Sequence, residues 1–284
     1  MDTLVEAQQL GKSYGKFRAL MGIDLTIRPG QVLGILGHNG AGKSSLIKCL
    51  LGAHDYDGEL KVFGMEPRKD RVKVVADLAY LSDVAVLPEW MTVKQIVKYS
   101  AGVHPNFDLA LAKQYLSQTD IQFSTKIGRL SKGMKVQLHL ALVMSANVRL
   151  LILDEPTLGL DLMFRERFYN QLIDWLKQGE RSMIIASHEI DEVSHLLTDL
   201  LILKKGKSVM ACAVEEVEGR FQKVCVNEEN KRQAEAARPL YIQQGVKESM
   251  YIYENGKTDK LSAFGKVSEP SLSEVFIALQ QEEA

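Results

Sequence analysis

The segment Gly37-His38-Asn39-Gly40-Ala41-Gly42-Lys43-Ser44 matches G-x-x-x-x-G-K-[ST], the spacing of a phosphate-binding loop. Gly37, Gly40 and Gly42 permit backbone angles closed to other residues, so several N–H groups can converge on one phosphate chain. Lys43 is placed to reach the β- and γ-phosphates, and the Ser44 hydroxyl to hold Mg²⁺. His38, Asn39, Ala41 and Ser45 complete the set of nucleotide contacts expected around the loop.

A second motif adds metal and water chemistry. Leu150-Leu151-Ile152-Leu153 is a fully apolar strand that ends in Asp154-Glu155. A carboxylate at the carboxyl end of such a strand faces the crevice where ligands bind in α/β sheets. Asp154 is expected to bind Mg²⁺, and Glu155 to orient and polarise an attacking water. The plainer alternative is an exposed Asp-Glu turn before Pro156, which the phosphate loop in the same chain disfavours. His188 follows another apolar strand, Met183-Ile184-Ile185-Ala186, and Ser187. Its position at a strand end near a γ-phosphate makes it a phosphate sensor; a lone His is otherwise an ordinary polar residue.

These groups need a framework of strands and helices. Gln31–Leu36 reads as the strand before the loop, and 45–51 as the helix after it. Residues 3–9 and 20–27 read as strands, separated by a polar turn, 11–17, that carries Tyr14 and Phe17. Further strands are expected at 58–63, 77–82, 200–203, 208–211 and 251–253. Helices are expected at 92–101, 108–118, 131–144 and 161–177, with Thr92 and Asp108 as caps. Another follows His188 with an acidic first turn, and a last one, 274–281, is opened by Pro270-Ser271. Alternating strands and helices with apolar strands predict an α/β fold: a P-loop NTPase core with a mostly parallel sheet covered on both faces. An antiparallel β part precedes it, a helical subdomain is inserted at about 84–146, and 213–284 form a small α+β accessory domain after a main domain of 1–212.

The chain has 284 residues and a net charge of -1, so it lacks the overall basic balance of a nucleic-acid binder. Its three cysteines, Cys49, Cys212 and Cys225, lie far apart, which fits a reducing compartment and no disulfide framework. The start of the chain shows no signal-peptide pattern, and no apolar run reaches the length of a membrane span. The composition thus predicts a soluble cytoplasmic protein whose link to a membrane, if any, runs through a partner.

Tyr14, the loop 37–44, Leu130-Ser131-Lys132-Gly133-Met134, Leu150–Glu155, Gly159-Leu160-Asp161 and His188 occur in one order. Together they resemble the nucleotide-binding subunit of ABC transporters, across about residues 3–211. The resemblance implies ATP and Mg²⁺ as ligands, with Tyr14 stacking on adenine and Phe17 as the rival stacker. It implies that Ser131 and Gly133 bind the γ-phosphate of an ATP held by a second copy, and that Asp161 bridges the two copies. Helix capping is an alternative or additional role for Ser131 and Asp161. A head-to-tail homodimer closed by two ATPs and reopened by hydrolysis follows. The signature usually reads Leu-Ser-Gly-Gly-Gln; here Lys132 and Met134 replace one glycine, the first, and the glutamine. Asp83 stands where the family commonly has a Gln that touches Mg²⁺.

The ending Glu269-Pro270-Ser271-Leu272-Ser273-Glu274-Val275-Phe276 resembles the tail of ATPases that serve exporter-type permeases. That implies an integral-membrane permease on a separate chain, and a place for this chain on the inner face of the cell membrane. The insert around 88–102 is expected to meet the permease, with Trp90 and Met91 as apolar contacts or as helix-packing core. Two other readings stand beside this one. An ABC-type ATPase of translation or DNA repair is disfavoured by the single phosphate loop and the absence of sustained heptads. An ATP-gated regulatory module with little hydrolysis is disfavoured by Glu155 and His188, but kept open by Asp83.

Overall fold

The structure, a computed structural model, describes residues 3–82, 87–158, 160–217, 219–245, 247–254 and 258–281. Asp83, Gly159, Asn255 and Gly256, which the sequence singles out, lie outside these residues. The chain opens with β1 (Val5–Tyr14), β2 (Phe17–Ile27), β3 (Val32–Leu36), α1 (Lys43–Leu50), β4 (Asp57–Val62), α2 (Arg71–Ala76) and β5 (Leu78–Leu81). Three helices follow: α3 (Val93–Val103), α4 (Leu109–Ser117) and α5 (Lys132–Met144). The chain returns to strands and helices with β6 (Leu150–Asp154), α6 (Leu162–Leu176), β7 (Ser182–Ser187), α7 (Ile190–Val193), β8 (Asp199–Lys204) and β9 (Lys207–Ala213). It ends with β10 (Phe221–Asn227), α8 (Lys231–Ala236), β11 (Tyr241–Gln243), β12 (Glu248–Glu254), α9 (Thr258–Leu261), β13 (Gly265–Ser268) and α10 (Leu272–Gln280).

The main sheet has the order β5-β6-β7-β3-β8-β9 and is parallel except for the β8–β9 hairpin. All five residues of β3 and of β6 are buried, as a sheet covered on both faces requires. Successive side chains alternate between two cores. Leu33, Ile35, Leu150 and Ile152 pack with α1 and the N-terminal sheet β2-β1-β4. Leu36, Leu151 and Leu153 pack on the opposite face with Phe168, Leu172 and Trp175 of α6. This is the α/β fold of a P-loop NTPase, with the antiparallel part at the N-terminus. Helices α3–α5, inserted between β5 and β6, have a core of their own around Val93, Ile96, Leu116 and Leu138.

Several helix starts are fixed by single side chains. Thr92 and Gln95 form a reciprocal capping box, and Asp108 accepts from Ala110 and Leu111 N–H. One expectation needs correction. The segment 11–17 is not a polar turn: β1 and β2 run through it, Tyr14 pairs with Phe17, and only Gly15 and Lys16 turn the chain. The register shifts after Ala7, where Gln9 has φ +49° and its N–H donates to Asp24 at 2.7 Å. That irregularity hides the alternation by which a strand is read in sequence. The helix after His188 is present with its acidic first turn, Asp191 and Glu192, and covers Ile190–Val193.

Residues 221–268 build a separate antiparallel sheet, β11-β12-β10-β13, with Val224, Val226, Tyr251 and Tyr253 in its core. α10 leaves that sheet and returns to the main body. Its Val275, Phe276 and Ala278 share the core that holds Leu153 and Ile185. Among the described residues, no helix is long and apolar enough to cross a membrane.

Candidate functional site

Parallel pairing brings three loops to one edge of the sheet. β7 lies between β3 and β6, so the segments after all three strands leave at the same end. The glycine loop follows β3, Asp154 and Glu155 end β6, and Ser187 and His188 end β7. The crevice outside the carboxyl ends of parallel strands is where α/β sheets bind ligands.

Gly42 caps α1 with φ +114°, a conformation reserved for glycine. A Cβ there would also lie 2.7 Å from the Ala19 carbonyl, so the close packing of loop and β2 excludes any side chain. The free N–H groups of α1 open from this point, which makes it an anion-binding end. Lys43 is 7 % exposed; its ammonium donates to the Gly37 carbonyl at 2.5 Å and lies 3.7 Å from Glu155 Oε1. A buried ammonium held this way is aimed, with little rotamer freedom left to lose on binding phosphate.

Glu155 has φ +49°, a strained value for a residue with a side chain, and its N–H donates to the Ala186 carbonyl at 2.9 Å. Besides Lys43, its carboxylate meets three groups among the described residues. His188 Nδ1 lies 2.8 Å from Oε2, His188 N–H 3.4 Å, and Ser187 Oγ 3.5 Å. With Glu155 ionised, Nδ1 carries the proton that joins them. The structure therefore couples the end of β6 to the end of β7 through side chains as well as the strand ladder.

A cavity of about 200 Å³ lies over this edge. Its walls are His38, Asn39, Gly40 and Gly42–Ser45 on one side, Asp154 and Glu155 on another, and Phe17 and Ala19 on a third. Ser44 Oγ and Asp154 Oδ2 are 3.4 Å apart, the latter carboxylate 3 % exposed. Two hard oxygen donors beside a phosphate-binding loop fit Mg²⁺, which takes few protein oxygens and completes its shell with phosphate and water.

The remaining expected residues divide. Tyr14 is not among the cavity walls, but its hydroxyl is 3.5 Å from Ser45 Oγ, at the rim. Lys12 Nζ sits 4.7 Å from its ring centroid, and His54 meets its edge at 5.7 Å. Ser131 caps α5 by accepting from Met134 N–H at 3.2 Å, and Asp161 caps α6 by accepting from Phe164 N–H at 2.9 Å. Ser131, Gly133 and Asp161 do not line the cavity of their own chain. Trp90 is exposed, while Met91 is half-buried and packs on the core of the helical insert. Sequence reading passed over Ser187 and Ala19, which carry no motif of their own. It also passed over Arg165, which pairs with Glu192 of α7 and donates from Nε to the Leu160 carbonyl at 3.1 Å. Thr157 Oγ1 donates to the same Glu192 at 3.0 Å. Thr157 and the Leu160 carbonyl are thereby tied to the helix after His188.

Residues 20–158 match the family model described as ABC transporter. That span contains the glycine loop, Ser131 and the Asp154-Glu155 pair. These residues form a domain of the ABC transporter family. Among relatives of this ATP-binding chain is the ABC transporter ATP-binding protein YtrB of Bacillus subtilis, 26 % identical over 78 % of the chain and 76 % of YtrB. Another is the xylose import ATP-binding protein XylG of Ralstonia nicotianae, 30 % identical over 73 % of the chain. The chain spans only 43 % of XylG. Among solved structures, cbiO1 from Clostridium perfringens, part of the ABC transporter complex cbiONQ, is 25 % identical with a TM-score of 0.65. That similarity covers 84 % of this chain and 96 % of cbiO1.

Proposed function

We propose that this chain binds ATP and Mg²⁺ in the cavity over the glycine loop, hydrolyses the ATP, and drives a membrane permease on a separate chain. The observation that carries this reading is the placement of Glu155. It projects from a strained position between Lys43 and His188, beside the Ser44–Asp154 pair. The backbone N–H groups of 37–45 cradle the phosphates, and Lys43 steadies the β- and γ-phosphates. Ser44 and Asp154 would hold Mg²⁺, which when bound would supply charge neutralisation to the phosphates. Glu155 takes the proton of the attacking water, and His188 keeps the carboxylate aimed. Tyr14 stacks on the adenine, with Phe17 as a second wall.

Ser131, Gly133 and Asp161 act on the ATP of a second copy, which makes the site composite and the working unit a head-to-tail homodimer. Their exclusion from the cavity of their own chain supports that assignment. The chain is divided into an ATP-binding domain, 1–212, whose helical subdomain meets the permease through Trp90, and an accessory part, 213–284. It works at the inner face of the membrane, without nucleic acid. Export rests on the tail 269–276; the similarity to a xylose import protein is the observation that favours import instead.

Phosphate release from ATP by the purified chain tests the enzymatic reading. Glu155→Gln is expected to lower the rate roughly 10²–10⁴-fold, the ordinary loss of a positioned base. A rate unchanged by that substitution refutes the role of Glu155.

A further inference from the structure

The first variable residue of the phosphate loop touches the last helix of the chain. The His38 and Phe276 rings lie 5.5 Å apart between centroids, tilted by 57°. The His38 carbonyl accepts from Ala41 N–H at 3.0 Å and closes the turn of the loop. One residue thus shapes the loop through its main chain and rests on α10 through its ring.

Phe276 is held firmly. It is 6 % exposed and belongs to the core shared with Leu153 and Ile185. The C-terminal end of α10 is pinned to β8: Lys204 Nζ donates to the Leu279 carbonyl at 3.2 Å, and Gln280 Nε2 to the Leu203 carbonyl at 3.0 Å. The N-terminal end is pinned to α7, where Ser273 Oγ donates to Asp191 Oδ1 at 2.5 Å. Beside the ring contact, a cleft of about 260 Å³ separates Gln280 and Lys204 from residues 38–41. Where it faces α10, the loop has the His38–Phe276 contact with open space beside it, while Gly206 N–H donates to the Ala41 carbonyl at 3.0 Å.

Resting on the nucleotide-binding reading above, we propose that Phe276 is a positioning residue for the phosphate loop. Its ring fixes the His38 side chain, and through it the turn whose N–H groups receive the phosphates. The packing of α10, which carries the chain back from the β10–β13 sheet, then sets nucleotide affinity. The effect falls on binding of every phosphate-bearing ligand of the loop, ADP as well as ATP.

The test is a double-mutant cycle on the full chain, read as the dissociation constants of fluorescent ATP and ADP analogues. Phe276→Leu keeps an apolar side chain in the core and removes the ring; His38→Ala removes the other ring at an exposed position. Phe276→Leu alone is expected to weaken both nucleotides roughly 2- to 10-fold, the range an aromatic pair contributes. In the His38→Ala background it is expected to have no further effect. An unchanged affinity in Phe276→Leu, or the same loss in both backgrounds, overturns the proposal. Phe276→Met serves in place of Phe276→Leu if thermal melting shows that variant unfolded. A wild-type chain that binds neither analogue overturns the nucleotide reading itself, which is a different result from a cycle without coupling.

Discussion

His188 Nδ1 and Glu155 Oε2 lie 2.8 Å apart, joining residues at the ends of two neighbouring parallel strands. Glu155 is held at φ +49°, and the same carboxylate has Lys43 3.7 Å from its other oxygen. Each partner removes freedom from the carboxylate, so its direction is set before substrate enters. On the proposed reading of Glu155 as the base, this is preorganisation, with the cost of strain placed on the β6 end.

Removing the ring tests that relation. His188→Ala leaves Lys43 and the loop in place but frees Glu155 Oε2. The expected result is a loss of hydrolysis of roughly 10²-fold, the scale of a misplaced reacting group. ATP affinity, measured separately by equilibrium binding, stays at the wild-type value. A parallel loss of both would place His188 in binding rather than in aiming the base.

The two aromatics of the first hairpin are separable. Tyr14 stands at the rim with its hydroxyl 3.5 Å from Ser45 Oγ, and Phe17 lines the cavity wall. Loss of a base-stacking ring costs about 1–3 kcal/mol. Tyr14→Ala is expected to weaken ATP and ADP equally, by roughly 10-fold, and Phe17→Ala by less. Isothermal titration of both variants decides it, and a larger loss in Phe17→Ala moves the stacking role to Phe17.

His139 of α5 gives a pH dependence. Burial pushes its pKa down to about 4, and its Nδ1 has no hydrogen-bond partner among the described residues. The unfolded chain binds the proton at an ordinary pKa of about 6.5, while the folded chain resists it until far lower pH. Stability from this group is therefore full above about pH 6.5 and falls as pH drops toward 4, by up to roughly 3 kcal/mol. Urea denaturation at several pH values is expected to show a shallower acid loss in His139→Leu than in the wild type. Equal slopes would refute a neutral, buried His139.

Much of this architecture was legible because its signals are local. The glycine loop, the apolar β6 ending in Asp154-Glu155, and the caps Thr92, Asp108, Ser131, Asp161 and Ser271 each depend on a few adjacent residues. Ser271 even forms a reciprocal box with Glu274, as a Ser-x-x-Glu spacing before an apolar run suggests. β10, β11 and β13 were not legible. β11 and β13 are short, partly exposed and carry only fragments of alternating pattern, and the seven residues of β10 mix buried, half-buried and exposed positions without strict alternation. The reach of Tyr14 into β1 was concealed by the irregular register after Ala7. The Phe276–His38 contact joins opposite ends of the chain, and neither residue type announces the other. Arg165 and Glu192 likewise read as ordinary surface charges until the fold brings them together.

The central claim is that ATP joins two copies of this chain across composite sites. It is tested most directly by the solution mass of Glu155→Gln, with and without ATP-Mg²⁺. Blocking hydrolysis while keeping the cavity intact is expected to trap the closed state, so the mass doubles on adding ATP and returns to that of one chain with Ser131→Arg. A mass that stays at one chain while bound ATP is measured in the same sample contradicts the account.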